Sequence, residues 1–157
     1  MKLLIFLYAL VSFGFTGSNN QFLEFKNKHH IKNSQLVIVY FIDGKSCASC
    51  LTLHGKSINS AKEYLKKHNI ENKVRILSIV EIDRKIELKS VLKKYDWKDE
   101  YDVFIGNNSR EKFGIDNDVE VCLFDSNGKV LFTSSIDDRI GYANKLIEAI
   151  KKNIKSK

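Results

Sequence analysis

Five apolar runs along the chain predict β-strands. The first, Leu36–Ile42, is a continuous run of β-branched and aromatic residues, which is typical of a strand buried on both faces. Asn127-Gly128 separates the last two runs, and an Asn-Gly pair in that position is a strong hairpin signal. The other predicted strands are Val74–Val80, Tyr101–Ile105, Val119–Phe124 and Lys129–Thr133.

Apolar residues that recur at intervals of three and four predict helices between these strands. We expect a long helix after the first strand, ending near Lys67, and further helices over Arg84–Tyr95 and Ile140–Ile154. The segment Asn107–Phe113 is predicted as a polar turn or a short helix. This alternation favours a three-layer α/β sandwich, with a mixed sheet of about five strands flanked by helices. The apolar stripe of the long helix consists of Leu51, His54, Ile58, Ala61 and Leu65.

The beginning of the chain has the pattern of a secretory signal peptide. Met1-Lys2 is basic, Leu3–Phe15 is almost entirely apolar, and small or polar residues follow. The apolar run is shorter than the roughly 20 residues that span a bilayer comfortably. We expect cleavage after Ser18 and export to a periplasmic or extracellular compartment, or a membrane anchor if the signal stays uncleaved.

Length and charge limit the remaining interpretations. A chain of 157 residues favours a single domain, since domains average about 150 residues. We expect a signal peptide over 1–18, an N-terminal lead-in over 19–35 that is a short helix or irregular, and one domain over 36–157. The net charge is +7, but the lysines are scattered and no arginine cluster lies among aromatic residues. This pattern indicates a solvated surface rather than nucleic-acid binding.

A pair of cysteines lies where the first strand ends and the long helix begins. The motif is Cys47-Ala48-Ser49-Cys50. The unpaired N–H groups and the dipole of a helix N-terminus stabilise a thiolate, which is the form that attacks disulfides. We therefore expect Cys47 to be the exposed attacking sulfur and Cys50 to be the resolving thiol. Lys45 could add favourable charge, although an ordinary exposed lysine is the simpler interpretation.

The order of buried strand, cysteine motif and amphipathic helix resembles the thioredoxin fold. The segments Tyr101–Phe104, Arg110–Ile115 and Val121–Val130 resemble the second half of secreted redoxins, the thiol-disulfide oxidoreductases of the TlpA and ResA kind. The resemblance implies disulfide exchange with protein thiols or small thiols, and a redox partner that recharges the site. It implies no organic cofactor and no metal, because the cysteine disulfide itself carries the two electrons.

The chain departs from the family pattern at three positions. Ser46 stands where an aromatic residue usually precedes the first cysteine, and Gly55 stands where a proline often kinks the helix. Val119 stands where the family has a cis-proline facing the cysteines, in a loop that contacts the backbone of the substrate. A cis bond before a non-proline residue costs about 3 kcal/mol, so we expect a trans peptide there. The acid that often assists the resolving thiol in the family could be Asp43 or Glu120.

Two other classes of function fit parts of the sequence. The chain could be a non-catalytic thioredoxin-fold binding protein, with Cys47 and Cys50 idle or in an inert disulfide. It could also be a copper or zinc carrier, because the two cysteines have zinc-ligand spacing and His54 lies one turn further along. No second ligand pair is apparent, however, and a core histidine is the commoner explanation of His54.

Three further positions receive structural interpretations. Cys122 lies within an apolar strand and is expected to be a small buried residue. His29-His30 lies in a polar stretch and is interpreted as solvated, with no role. Trp97 is interpreted as a cap on the core or as part of a surface patch.

Overall fold

A computed structural model describes residues 17–45, 48–94, 100–106, 108–135 and 142–155. The side chains of residues 17–20, 48–51, 53, 54, 94, 142 and 155 lie outside this description. The described residues form a five-stranded mixed sheet in the order β3-β2-β1-β4-β5, which confirms the predicted fold class. The strands are β1 (Leu36–Asp43), β2 (Val74–Ile82), β3 (Tyr101–Ile105), β4 (Val119–Phe124) and β5 (Val130–Ser135).

Strand β1 occupies the centre of the sheet. It runs parallel to β2, with Leu36 opposite Val74, and antiparallel to β4, with Val39 opposite Cys122. Strand β3 pairs parallel to β2, and β5 pairs antiparallel to β4 as the predicted hairpin. A strand with neighbours on both sides and helices on both faces must be apolar throughout, which explains the unbroken run in β1.

Five α-helices among the described residues cover the sheet. Their positions agree with the predicted stripes, except that a short 3-10 helix over Lys85–Glu87 precedes the third helix. Another 3-10 turn, Glu71–Lys73, leads into β2. The predicted end of the third helix at Tyr95 lies outside the described residues. The helices are α1 (Gly17–Lys28), α2 (Ala48–Lys67), α3 (Leu88–Lys94), α4 (Ser109–Lys112) and α5 (Tyr142–Lys155).

The sheet separates two apolar cores. On the α1 face, Val37, Val39 and Phe41 of β1 pack with aromatic residues of α1 and with Phe113 at the end of α4. On the α2 face, the alternate β1 residues Leu36, Ile38 and Tyr40 pack against α2 and α5. Helix α3 packs beside this second core, against the end of β2. Among the described side chains of α2 and α5, the buried hydrophobic ones are Ile58, Ala61, Leu65, Leu146 and Ile150.

The segment over 19–35, predicted as a short helix or an irregular lead-in, is helical up to Lys28 and belongs to the core of the α1 face. Phe22 and Phe25 are buried, and the Phe22 ring lies 5.1 Å from that of Phe124. The chain turns tightly beneath Phe22 at Gly128, whose φ is +86°. A Cβ at Gly128 would lie 2.8 Å from the Phe22 ring, so the Asn-Gly turn requires glycine for space as well as for conformation.

The interpretation of His29 as a solvated residue is wrong. Its ring is buried against Phe25, with the two ring centroids 4.7 Å apart, and Nδ1 lies 2.8 Å from Oε1 of Glu100. His30 is exposed, as expected. The cause is tertiary, since the end of α1 packs beside the start of β3 and carries His29 with it.

Residues 1–16 of the signal peptide predicted over 1–18 lie outside the described residues, and its last two residues, Gly17 and Ser18, begin α1. Within the part of the chain that the structure describes, no helix has the length and apolar character needed to cross a membrane.

Candidate functional site

Along the chain, the cysteine motif follows the carboxyl end of the central strand and overlaps the start of α2. Strand β1 ends at Asp43, and α2 begins at Ala48, so Cys50 is the third residue of a helix of 20 residues. The first turn of α2 contains no acidic residue to offset its free N–H groups. The predicted strand before the motif and the predicted helix after it are therefore confirmed. Cys47 and Ser46, and the side chain of Cys50, lie outside the described residues.

The chain leaves β1 through a close contact with β2. The N–H of Gly44 donates to the carbonyl oxygen of Glu81 at 2.8 Å. A Cβ at Gly44 would lie 2.9 Å from that same oxygen and 3.1 Å from the Ile82 side chain. Gly44 is thus required by the close approach of two backbones, directly before the cysteine motif.

Lys45 is an ordinary exposed lysine, as the simpler interpretation held. Its Nζ lies 2.7 Å from Oδ2 of Asp83, and hydrogen bonding to that carboxylate raises the pKa of Lys45. The backbone N–H of Lys45 donates to Oδ1 of Asp43 at 2.8 Å, which closes the turn after β1. An exposed pair of this kind contributes little to stability, because water screens the two charges.

A buried ion pair that sequence reasoning missed lies at the same end of the sheet. Oε2 of Glu81, near the end of β2, accepts a hydrogen bond from Nη1 of Arg110 in α4. Oε1 accepts from the backbone N–H groups of Ser109, at 2.8 Å, and Asn108, at 3.3 Å. The side chains of Glu81 and Arg110 are only 7% and 12% exposed. Burial alone raises the pKa of Glu81, but hydrogen bonding from Ser109 and the charge of Arg110 outweigh it and hold that pKa below its usual value.

Arg110 also contacts the start of β4. Its Nε donates to the carbonyl oxygen of Val119 at 2.5 Å, and Nη2 lies 3.5 Å from the carbonyl oxygen of Phe41. The Val119 peptide is trans, as predicted, because no cis peptide occurs among the described residues. Its N–H donates to the carbonyl oxygen of Asp116 at 3.2 Å. The proposed substrate-contacting position, Val119, is thus attached through Arg110 to the end of β1.

The two acids suggested by the sequence occupy different environments from Glu81. Asp43 is exposed and accepts the hydrogen bond from Lys45, while Glu120 is half-buried on β4. Of the acidic side chains that the structure describes, Glu81 is the buried one. The signal that could have found it is one charged residue inside the apolar run over 76–82, because an unpaired charge is rarely tolerated there.

The remaining candidate residues are structural or undescribed. Cys122 is fully buried in β4, and burial raises the pKa of its thiol, which confirms a small core residue. A side chain at Gly55 would meet no neighbouring atom within 4 Å, so α2 leaves this position open. The side chain of His54 and the whole of Trp97 lie outside the described residues. Among the side chains that are described, no cluster of three or more His, Cys, Asp or Glu could hold a metal ion.

Comparison with solved structures identifies the fold. No protein-family model matches the chain, and no curated protein matches it. An uncharacterized thioredoxin-like protein from Porphyromonas gingivalis aligns with a TM-score of 0.57 at 16% identity, covering 79% of this chain and 78% of that one. A thiol:disulfide interchange protein from a Bacteroides species gives 0.53 at 14% identity, with 78% and 75% covered.

A third structure agrees with these two. It is a secreted Mycobacterium tuberculosis disulfide oxidoreductase homologous to Escherichia coli DsbE, with a TM-score of 0.51, 7% identity, and 76% and 83% of the two chains covered. The chain therefore has a thioredoxin-like fold, and its resemblance to the thioredoxin-like superfamily is confirmed at the level of the fold.

Proposed function

We propose that this protein is a thiol-disulfide oxidoreductase that acts through Cys47 and Cys50. The observation that carries the proposal is the position of the motif. Strand β1 ends four residues before Cys47, and Cys50 lies in the first turn of α2. A disulfide across so short a loop constrains the unfolded chain little, so stabilisation alone is a poor explanation of the pair.

The exchange balances without a cofactor. The Cys47 thiolate attacks one sulfur of a client disulfide, the client S–S bond breaks, and a mixed disulfide forms while the first client thiolate takes up a proton. Cys50 then loses its proton and attacks Cys47 Sγ, which releases the second client thiol. The client gains two electrons and two protons, and the protein is left with a Cys47–Cys50 disulfide. A thiol or dithiol partner must reduce that disulfide before the next cycle, and the reverse sequence oxidises a dithiol client.

The structural neighbours support the redox chemistry and suggest a compartment. Two of those described above are named as a thiol:disulfide interchange protein and as a secreted disulfide oxidoreductase. Together with the apolar run at Leu3–Phe15, these names favour export of this chain and partners that are protein thiols or small thiols. The loop ending at Val119 is proposed to contact the client.

A redox titration of the purified chain tests the proposal. Equilibration in glutathione or dithiothreitol buffers, with the thiol state determined by alkylation and mass, should give a reversible two-electron midpoint between about −120 and −300 mV. Cys47→Ser should abolish disulfide reduction. Cys122→Ala is the matched control, because Cys122 is buried and should leave the midpoint unchanged.

The other outcomes distinguish the alternative functions. Thiols that never pair, or a disulfide that resists reduction far below this range, would contradict an exchange enzyme. Binding to a partner that survives Cys47→Ser would then indicate a binding protein. Stoichiometric copper or zinc after purification under reducing conditions would indicate a metal carrier.

A further inference from the structure

One buried acid is bonded to both chain segments that approach the proposed site. The carbonyl oxygen of Glu81 accepts from Gly44, three residues before Cys47 along the chain. The carboxylate of Glu81 accepts from the backbone N–H groups of Asn108 and Ser109, at the start of α4, and from the Arg110 side chain. Glu81 therefore connects the segment that leads into the cysteine motif with the segment that leads towards β4.

Arg110 completes this connection. The three nitrogen atoms of its planar guanidinium group donate to three different acceptors, which are the Glu81 carboxylate and the carbonyl oxygens of Val119 and Phe41. The guanidinium carbon also lies 5.2 Å from the centroid of the Phe41 ring. A lysine could place one charge here but could not match this arrangement, because its ammonium group lacks the rigid fork.

We propose that Glu81 and Arg110 are positioning residues, which hold the loop over residues 114–118 and the adjoining Val119 at a set distance from the segment leading to Cys47. This inference rests on the proposed exchange activity. The chain contains no proline, so the loop lacks the rigid ring that could otherwise restrict it. A buried charged pair supplies the restraint instead, through the carbonyl oxygen of Val119.

Stability alone does not account for such a pair. Replacing a buried ion pair with apolar residues of similar volume is often neutral or stabilising, since desolvation offsets much of the attraction between the charges. An apolar pair, however, cannot donate a hydrogen bond to a particular carbonyl oxygen, such as that of Val119. A positioning role therefore predicts effects on the loop and on large clients that do not follow the free energy of unfolding.

The test compares Arg110→Met and the double variant Glu81→Met/Arg110→Met with wild type. Arg84→Met is the matched control, because Arg84 also pairs with a glutamate but is exposed. The double variant removes both buried charges and keeps the test informative if Arg110→Met fails to fold. The reduced protein reacts in single turnovers with one of two substrates. One is a disulfide between two extended peptides, and the other is hydroxyethyl disulfide, which is small enough to contact the attacking sulfur without contacting the loop.

We expect the half-saturating concentration of the peptide disulfide to rise about tenfold in both variants, the size expected from losing one hydrogen bond to a charged group. The rate with hydroxyethyl disulfide should stay within about twofold of wild type, since thiolate attack needs no loop contact. Amide hydrogen exchange at Val119 should accelerate about tenfold as the loop loosens. Arg84→Met should change none of these values.

The outcomes separate the inference from the proposed function. Wild-type Val119 exchange and wild-type peptide saturation in a folded double variant would overturn the positioning role. A wild-type protein that reduces neither disulfide would overturn the proposed function and the effect on clients. The hydrogen-exchange rate of the Val119 amide would still decide whether Glu81 and Arg110 hold the loop. Equal losses with both disulfides would also overturn the inference, because they would indicate damage to the cysteines themselves.

Discussion

The two faces of the sheet are stabilised differently. On the α2 face, leucine, isoleucine and valine side chains form the core, and the Tyr40 and Ser57 hydroxyls, 3.5 Å apart, share a buried contact. On the α1 face, five phenylalanine rings pack among aliphatic side chains in the core. This face also carries buried charged groups, including Lys26, whose Nζ donates to the carbonyl oxygen of Ser126 at 2.7 Å. Glu81 and Arg110 lie on this face as well.

This difference shows that apolar packing and the positioning of loops are carried by different faces of the sheet. The α2 face needs only apolar volume of suitable shape, and such cores tolerate substitution when volume is kept. On the α1 face, charged side chains bond to particular carbonyl and N–H groups of loops, and each such bond specifies where a loop lies. The face with buried charges is also the face from which Arg110 reaches Val119 and the end of β1.

The largest expected effect is that of breaking the buried pair. Glu81→Ala leaves Nη1 of Arg110 and the backbone N–H groups of Ser109 and Asn108 without their carboxylate acceptor, and breaking a buried pair in this way should cost about 3–5 kcal/mol of unfolding free energy. Urea denaturation measures the loss. A loss below about 1 kcal/mol, the range of exposed pairs, would contradict the buried character of the pair.

Removing apolar volume from the α2 face should have a similar or slightly smaller effect. Leu146→Ala in α5 should cost about 2–5 kcal/mol through lost transfer energy and a residual cavity. Exposed Asn144 on the same helix supplies the control Asn144→Ala. Because leucine does not titrate, Leu146→Ala should lower the unfolding free energy by the same amount at pH 4 and pH 7, unlike Glu81→Ala. Unequal losses for Leu146→Ala at the two pH values would contradict the contrast between the faces.

Acid should weaken the α1 face selectively. The folded pKa of Glu81 lies below its ordinary value of 4.5, so its contribution is fully present above that pH and is lost as pH falls towards the folded pKa. Glu81→Gln should therefore unfold with a flatter pH dependence than wild type in this acidic range. Glu87→Gln, at an exposed pair, serves as the control. Identical acid profiles for wild type and Glu81→Gln would show that Glu81 contributes nothing to the pH dependence.

The smallest effect is expected at the rim of the α1 face. Nζ of Lys28 lies 2.5 Å from Oδ1 of Asp102, but the Lys28 side chain is 61% exposed. Lys28→Ala should cost at most about 1 kcal/mol, and less at high salt, because water and ions screen such pairs. Thermal unfolding at low and high salt measures this loss of stability. A larger loss that does not change with salt would show that Lys28 behaves like a buried charge.

Local patterns sufficed to predict most of the architecture. The apolar run of β1, the Asn127-Gly128 turn and the stripe through Ile58 and Leu65 report strand, hairpin and helix, because their periods depend on neighbouring residues. The same reasoning placed the cysteine motif at the junction of β1 and α2, and it predicted the trans peptide at Val119. The burial of His29 escaped it, although Phe25 precedes His29 by one helical turn, because the partner Glu100 lies 71 residues further along the chain.

The sequence alone therefore specifies the strands, the long helices, the hairpin and the place of the cysteine motif, since hydrophobic periodicity and turn chemistry act over a few residues. Folding decides which polar side chains meet. Glu81 and Arg110 are 29 residues apart along the chain, and Arg110 and Val119 are nine apart on different elements. No local pattern encodes these contacts, because they form only when β2, α4 and β4 come together and exclude water from the charges that join them.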